Sequence, residues 1–84
     1  MSAEDCSRFR LQVVAESDPG VIPKVLERFH NLNITPWRIH AELASNDLLH
    51  VDVDVFGIDS VKRRLIAAKL TQAISVLKVH WHEL

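Results

Sequence analysis

Residues 49–56 read Leu49-His50-Val51-Asp52-Val53-Asp54-Val55-Phe56. Successive side chains of a strand point to opposite faces, so Leu49, Val51, Val53 and Val55 share one side and His50, Asp52 and Asp54 the other. Such a strand lies half-buried in a sheet with one apolar and one polar face. Upstream, Ser45-Asn46-Asp47 reads as a turn. Before it, Trp37, Ile39, Ala41 and Leu43 alternate with Arg38, His40 and Glu42, which predicts a hairpin with Leu43 opposite Leu49. That register sets Glu42 against His50, His40 against Asp52 and Arg38 against Asp54, every pair complementary in charge.

Moving outward, Phe9, Leu11, Val13 and Ala15 alternate with Arg10, Gln12, Val14 and Glu16 as a first strand. Ser17-Asp18-Pro19-Gly20 breaks the pattern. Ile22, Val25, Leu26, Phe29 and Leu32 then recur at helical spacing, with Pro23 confined to the first turn because it has no N–H to give. Gly20 therefore falls at the helix mouth. The helix is expected to stop near Asn31 or Asn33, since asparagine tolerates the left-handed backbone of helix ends. After Gly57, capped by Asp59 or Ser60, a second helix is predicted to about Gln72 with Val61, Leu65, Ala68 and Ile66 on its apolar face. Ile74 to His82 closes the chain as a fourth strand, Leu77, Val79 and Trp81 alternating with Lys78, His80 and His82.

The predicted fold class is α+β, a ferredoxin-like β-α-β-β-α-β sandwich: a four-stranded antiparallel sheet with two helices on one face, burying all apolar sides in one interface. With 84 residues, one domain over 8–84 is expected, preceded by a tail at 1–7. Ten Lys and Arg against eleven Asp and Glu give a net charge of -1, without the excess of cations that nucleic acid or anionic lipid attracts. Neither is an expected partner. Cys6, the one cysteine, allows no intrachain disulfide, paired-cysteine metal site or iron–sulfur cluster, and with no targeting segment or bilayer-length apolar run a cytoplasmic protein is expected.

His40, His50, His80 and His82, with Asp52 and Asp54, raise the possibility of a metal. The antiparallel order of this fold, however, places a strand between His80 and His50, so a metal would need an interface between two copies. Neither a nucleophile elbow, a phosphate-binding glycine loop nor a helical zinc motif is present, and no catalytic residue, cofactor or resident metal is expected. An open sheet face carrying Asp52 and Asp54 repels RNA phosphates.

The strand-to-helix loop Glu16-Ser17-Asp18-Pro19-Gly20-Val21 gathers backbone N–H groups suited to a carboxylate, and Gly20 permits close approach. At the far end of that helix the Asn33 amide both donates and accepts. Together these suit a small amino acid. On these residues, VAESDPGVIPKVLERFHNLNITPWRI (14–39) resembles the opening of ACT domains, and ISVLKVHWHEL (74–84) is similar to the last strand of the small regulatory subunits of acetolactate synthase within that family. The resemblance spans Phe9 to about Glu83. It implies a non-catalytic regulatory domain that pairs as a homodimer or higher homo-oligomer and binds an amino-acid effector between the glycine loop of one copy and the asparagine segment of another. It further implies a catalytic enzyme subunit as partner. The implied ligand-binding positions are Ser17, Asp18, Gly20, Val21, Asn33 and Ile34; Ser17 departs from the asparagine frequent in those subunits, and Asn31 from a frequent glycine. A purely structural dimerisation module and a metal sensor at an interface of sheet-face histidines are the alternatives.

Overall fold

The computed structural model describes residues 7–84. Its elements are β1 (Arg8–Glu16), α1 (Val21–Asn31), β2 (Arg38–Leu43), β3 (Leu48–Phe56), α2 (Ser60–Thr71) and β4 (Val76–Glu83). The four strands form one antiparallel sheet in the order β2-β3-β1-β4, the ferredoxin-like arrangement. Cys6 and the rest of the expected tail before Ser7 lie outside the described residues. The Ser7 carbonyl accepts a hydrogen bond from the Gly57 N–H at 2.9 Å.

β1 lies between β3 and β4, so both of its edges are hydrogen-bonded. Phe9, Leu11, Val13 and Ala15 are buried on its helix side, beside Val51, Val53 and Val55 of β3. From above, α1 contributes Val21, Val25 and Phe29, and α2 contributes Ile66 and Leu70. Burying each large aliphatic or aromatic side chain stabilises the fold by roughly 1.5–3 kcal/mol. The hairpin has the expected register, with Leu43 opposite Leu49 and Arg38 opposite Asp54. Its turn is closed by the Asp47 N–H on the Ala44 carbonyl at 3.0 Å, and Asp47 takes a φ of 62°.

Four details differ from the alternation. The helix side of β2 is not covered: Ile39 is 48% and Leu43 55% exposed, and Ala41 is exposed too. Trp37, itself at a bend, precedes β2 and donates its backbone N–H to the Asp54 carbonyl at 3.0 Å. Its ring stacks on Phe56 with centroids 5.6 Å apart. β4 begins at Val76, because Ser75 turns at a φ of 79°, and Ile74 is exposed. A bulge then sets Ala15 opposite Val76 and Val14 opposite Lys78, so Leu77 is the extra residue. Val76 packs on the core, and Leu77 is exposed.

The fourth difference is the rotation of α2. Val61 and Leu65 are exposed, as is Ala68, and the inward side consists of Ile66, Leu70 and the stem of Arg63. The cause is local. Ile58 is buried immediately before the helix, Asp59 caps it by accepting from the Lys62 N–H at 2.8 Å, and these two anchors set the helical phase. Arg63 turns inward, its guanidinium 4.0 Å from the centre of the Phe9 ring and donating to the Ile58 carbonyl at 2.6 Å. The Trp81 indole N–H of β4 donates to the Arg63 carbonyl at 2.9 Å.

On the open face Asp54 alone among the described polar and charged residues is fully buried. Arg10 grips its carboxylate through two hydrogen bonds of 2.7 and 3.0 Å, and Arg38 adds one at 3.4 Å. The Arg10 hydrogen bonds hold the Asp54 carboxyl below its ordinary value of 3.8, against the opposing effect of burial. Asp54→Ala strands two guanidinium groups and is expected to destabilise the fold by about 2–3 kcal/mol in urea unfolding at pH 7. A group whose folded pKa is depressed stabilises above its unfolded value and ceases to do so as pH falls through the folded one. Wild-type stability should therefore decline as pH drops below 3.8, with a shallower decline in Asp54→Ala.

Candidate functional site

The loop between β1 and α1 is organised by Asp18. Its Oδ1 accepts the Gly20 N–H at 2.8 Å and its Oδ2 accepts the Ser75 hydroxyl at 3.1 Å, while its carbonyl accepts the Val21 N–H at 3.1 Å. The Gly20 bond, then the Ser75 bond, lowers the Asp18 pKa. The negative charge expected at this helix mouth is thus the chain's own, favourably placed against the N-terminal end of the helix dipole. Ser75 sits 57 residues away in the chain, so no local pattern reveals its part in holding Asp18.

Gly20 is the N-cap of α1 with a φ of -78° and ψ of -9°, a conformation open to any residue. Close approach is what glycine permits here: a Cβ would lie 3.3 Å from Asp18 Oδ1. Of the other loop positions, Ser17 is exposed, Asp18 half-buried and Val21 buried. Val21 therefore offers a ligand only its backbone.

At the other end, Asn33 adopts a left-handed φ of 57°. Its N–H donates to the His30 carbonyl at 3.0 Å, and the Ile34 N–H donates to the Phe29 carbonyl at 2.9 Å. This pair of bonds is the Schellman stop, with Ile34 folding back onto the core. Asn31, the other expected stop, is instead the last helical residue. The Asn33 side chain is exposed. Gly20 and Asn33 flank opposite ends of an eleven-residue helix that is itself about 16.5 Å long at 1.5 Å per residue, so one copy does not bring them together.

The sheet-face histidines do not form a centre. The His80 and His82 rings meet edge to face with centroids 4.3 Å apart, and His82 hydrogen-bonds the Gln12 amide. His50 and Asp52 line the same open cleft of about 300 Å³. His40 lies 3.5 Å from Glu42, its neighbour two along, rather than on Asp52. Among the described residues no three His, Cys, Asp or Glu side chains converge on a point able to hold a metal.

Against known families, the chain matches the model of the ACT-like domain over residues 1–84. The chain belongs to the ACT-like domain family. No curated protein sequence matches it. Among solved structures the ACT-like domain is similar to the C-terminal domain of the MgtC protein from Mycobacterium tuberculosis, at 19% identity and a TM-score of 0.79, over 100% of this chain and 94% of that one. It is also similar to the ACT domain from GTP pyrophosphokinase of Chlorobium tepidum, at 15% identity and a TM-score of 0.74, over 89% and 96% of the two chains. A formyltetrahydrofolate deformylase from Pseudomonas putida KT2440 matches at 12% identity and a TM-score of 0.71, over 89% of this chain and 28% of its own. At these identities the likeness is one of fold. Among the described residues no helix is long and apolar enough to cross a membrane.

The left-handed backbone and the amide of Asn33 are separable. Asn33→Gly keeps the Schellman stop and should leave thermal stability within about 0.5 kcal/mol of wild type, whereas Asn33→Ala places a Cβ in the left-handed region and should cost roughly 1 kcal/mol. Parallel melts of the two variants measure the difference.

Proposed function

We propose that this ACT-like domain is a non-catalytic regulatory module in which two copies form two equivalent sites, each holding a small amino acid between the Asp18–Gly20 mouth of one copy and Asn33–Ile34 of the other. The observation that carries the reading is the bare edge of β2. Ile39, Ala41 and Leu43 stand exposed on a strand whose outer hydrogen-bonding edge has no partner among the described residues, and such an edge is a template for another strand. Edge pairing of two copies covers that apolar row. It also supplies the second helix end that a single copy lacks.

In the site so formed, Asp18 meets the ligand's ammonium group, Gly20 leaves room for close approach, and the Asn33 amide of the other copy takes the carboxylate. Ser17 and the backbone of Val21 and Ile34 complete the lining. A ligand that prefers one arrangement of the pair shifts the population towards it, and an attached enzyme is biased by the same free energy. The proposed partner is an enzyme of amino-acid biosynthesis. For acetolactate synthase the support is the sequence likeness of 14–39 and 74–84 to its small regulatory subunits.

Calorimetric titration of the dimer with branched-chain and other small amino acids should give saturable heat with at least one of them, lost in Asn33→Gly while the dimer persists. No heat with any, or equal heat in the variant, overturns the reading in favour of a purely structural pairing module. Ile39→Lys with Leu43→Lys should reduce the mass in light scattering to that of one chain, 9.6 kDa, with an unchanged circular dichroism spectrum.

A further inference from the structure

The net charge of -1 conceals a sorting of charge by face. The two helices carry Lys24, Arg28, Lys62, Arg63, Arg64 and Lys69 against a single acid, Glu27. α2 itself holds four cations and no acid between Ser60 and Thr71. Of these, Arg63 is turned inward over Phe9. Lys62, Arg64 and Lys69 have no carboxylate within salt-bridge reach among the described residues and frame the outer surface of the helix.

Down the middle of that cationic frame runs an apolar stripe that the core does not use. Val61 is 63% and Leu65 45% exposed, and Ala68 follows at the next helical step, also exposed. At 100° per residue Lys62 and Lys69 fall on the α1 side of this stripe and Arg64 on the other. Between the helices, Arg28, Asn31, Leu32, Leu65, Ile66 and Lys69 line a groove of about 70 Å³, room for one aliphatic side chain. α2 packs on β4, the opposite edge of the sheet from β2, so this surface stays free when β2 is paired.

We propose that the outer face of α2 is a docking site for an acidic amphipathic segment of a partner protein. An aliphatic anchor of that segment enters the groove beside Leu65, and its carboxylates face Arg28, Lys62, Arg64 and Lys69. The charge selects this occupant. A second copy presenting the same face brings cations against cations, with Glu27 as the one acid on the helices and already 3.7 Å from Arg28, which disfavours a two-fold pairing here. Nucleic acid leaves the central stripe unused, since it offers phosphate where Val61 and Leu65 need apolar contact. A membrane-surface helix buries bulky or aromatic residues, and this stripe has only valine, leucine and alanine. The proposal goes beyond the amino-acid site and does not depend on it.

The test uses the full chain and a synthetic helical peptide of leucine and glutamate, about 18 residues long. Backbone amide shifts and fluorescence anisotropy report its binding. The expected result is saturable binding with shifts confined to α2 and the groove, weakened about tenfold both by Lys62→Glu with Lys69→Glu and by Leu65→Ser. All three positions are exposed, and thermal melts verify that the variants remain folded. Absence of binding, indifference to Leu65→Ser, equal binding of a leucine–lysine peptide, or tighter binding of duplex RNA or of phosphatidylcholine–phosphatidylserine vesicles each overturns the proposal.

Discussion

β1 is hydrogen-bonded along both edges, by β3 over its whole length and by β4 from Phe9 to Ala15 across a bulge, and the rest of the molecule is arranged around that strand. Its alternation divides the sheet into an apolar side, against which both helices pack, and a polar side centred on Arg10 and Gln12. Because β1 occupies the middle, β2 is forced to an edge. The helices cover β1 and β3 and leave the apolar side of β2 bare. The surface proposed for pairing is thus a consequence of strand order as much as of the residues in β2.

The two ends of α1 are each held by a side chain or conformation that also bears on ligand chemistry. At the start, Asp18 caps the loop and engages the Gly20 N–H, so a ligand meets a carboxylate there rather than a set of free amides. At the finish, Asn33 provides the left-handed turn that stops the helix, and its amide is left facing solvent. A residue with a structural duty in its backbone and an idle side chain is a ready place for recognition. Nothing in the fold alone demands the amide, since glycine satisfies the same turn.

Strand alternation made the fold and the hairpin register legible, because period-2 patterning on β1, β2 and β3 admits few pairings that keep every apolar residue on one side. It was less informative where something other than periodicity decides orientation. In α2 both 61/65/68 and 66/70 have helical spacing, and the choice between them fell to Ile58, the Asp59 cap and the cation of Arg63 over Phe9. The bulge at Leu77 and the positive φ of Ser75 carry no glycine to announce them. Glycine and asparagine marked the candidate site, but the Asp18–Ser75 contact joins residues too distant in the chain for any local signal.

That an amino acid is shared between two copies can be examined by complementation. Asn33→Gly spoils the asparagine half of the site, and Asp18→Asn removes the charge from the mouth. Each variant alone should fail to bind the effector that the wild-type dimer binds. Mixing them in equal amounts and letting subunits exchange creates dimers in which one of the two sites combines an intact mouth with an intact Asn33. Equilibrium dialysis of the exchanged mixture should then recover about a quarter of the wild-type sites; a mixture as inactive as its parents contradicts the shared site.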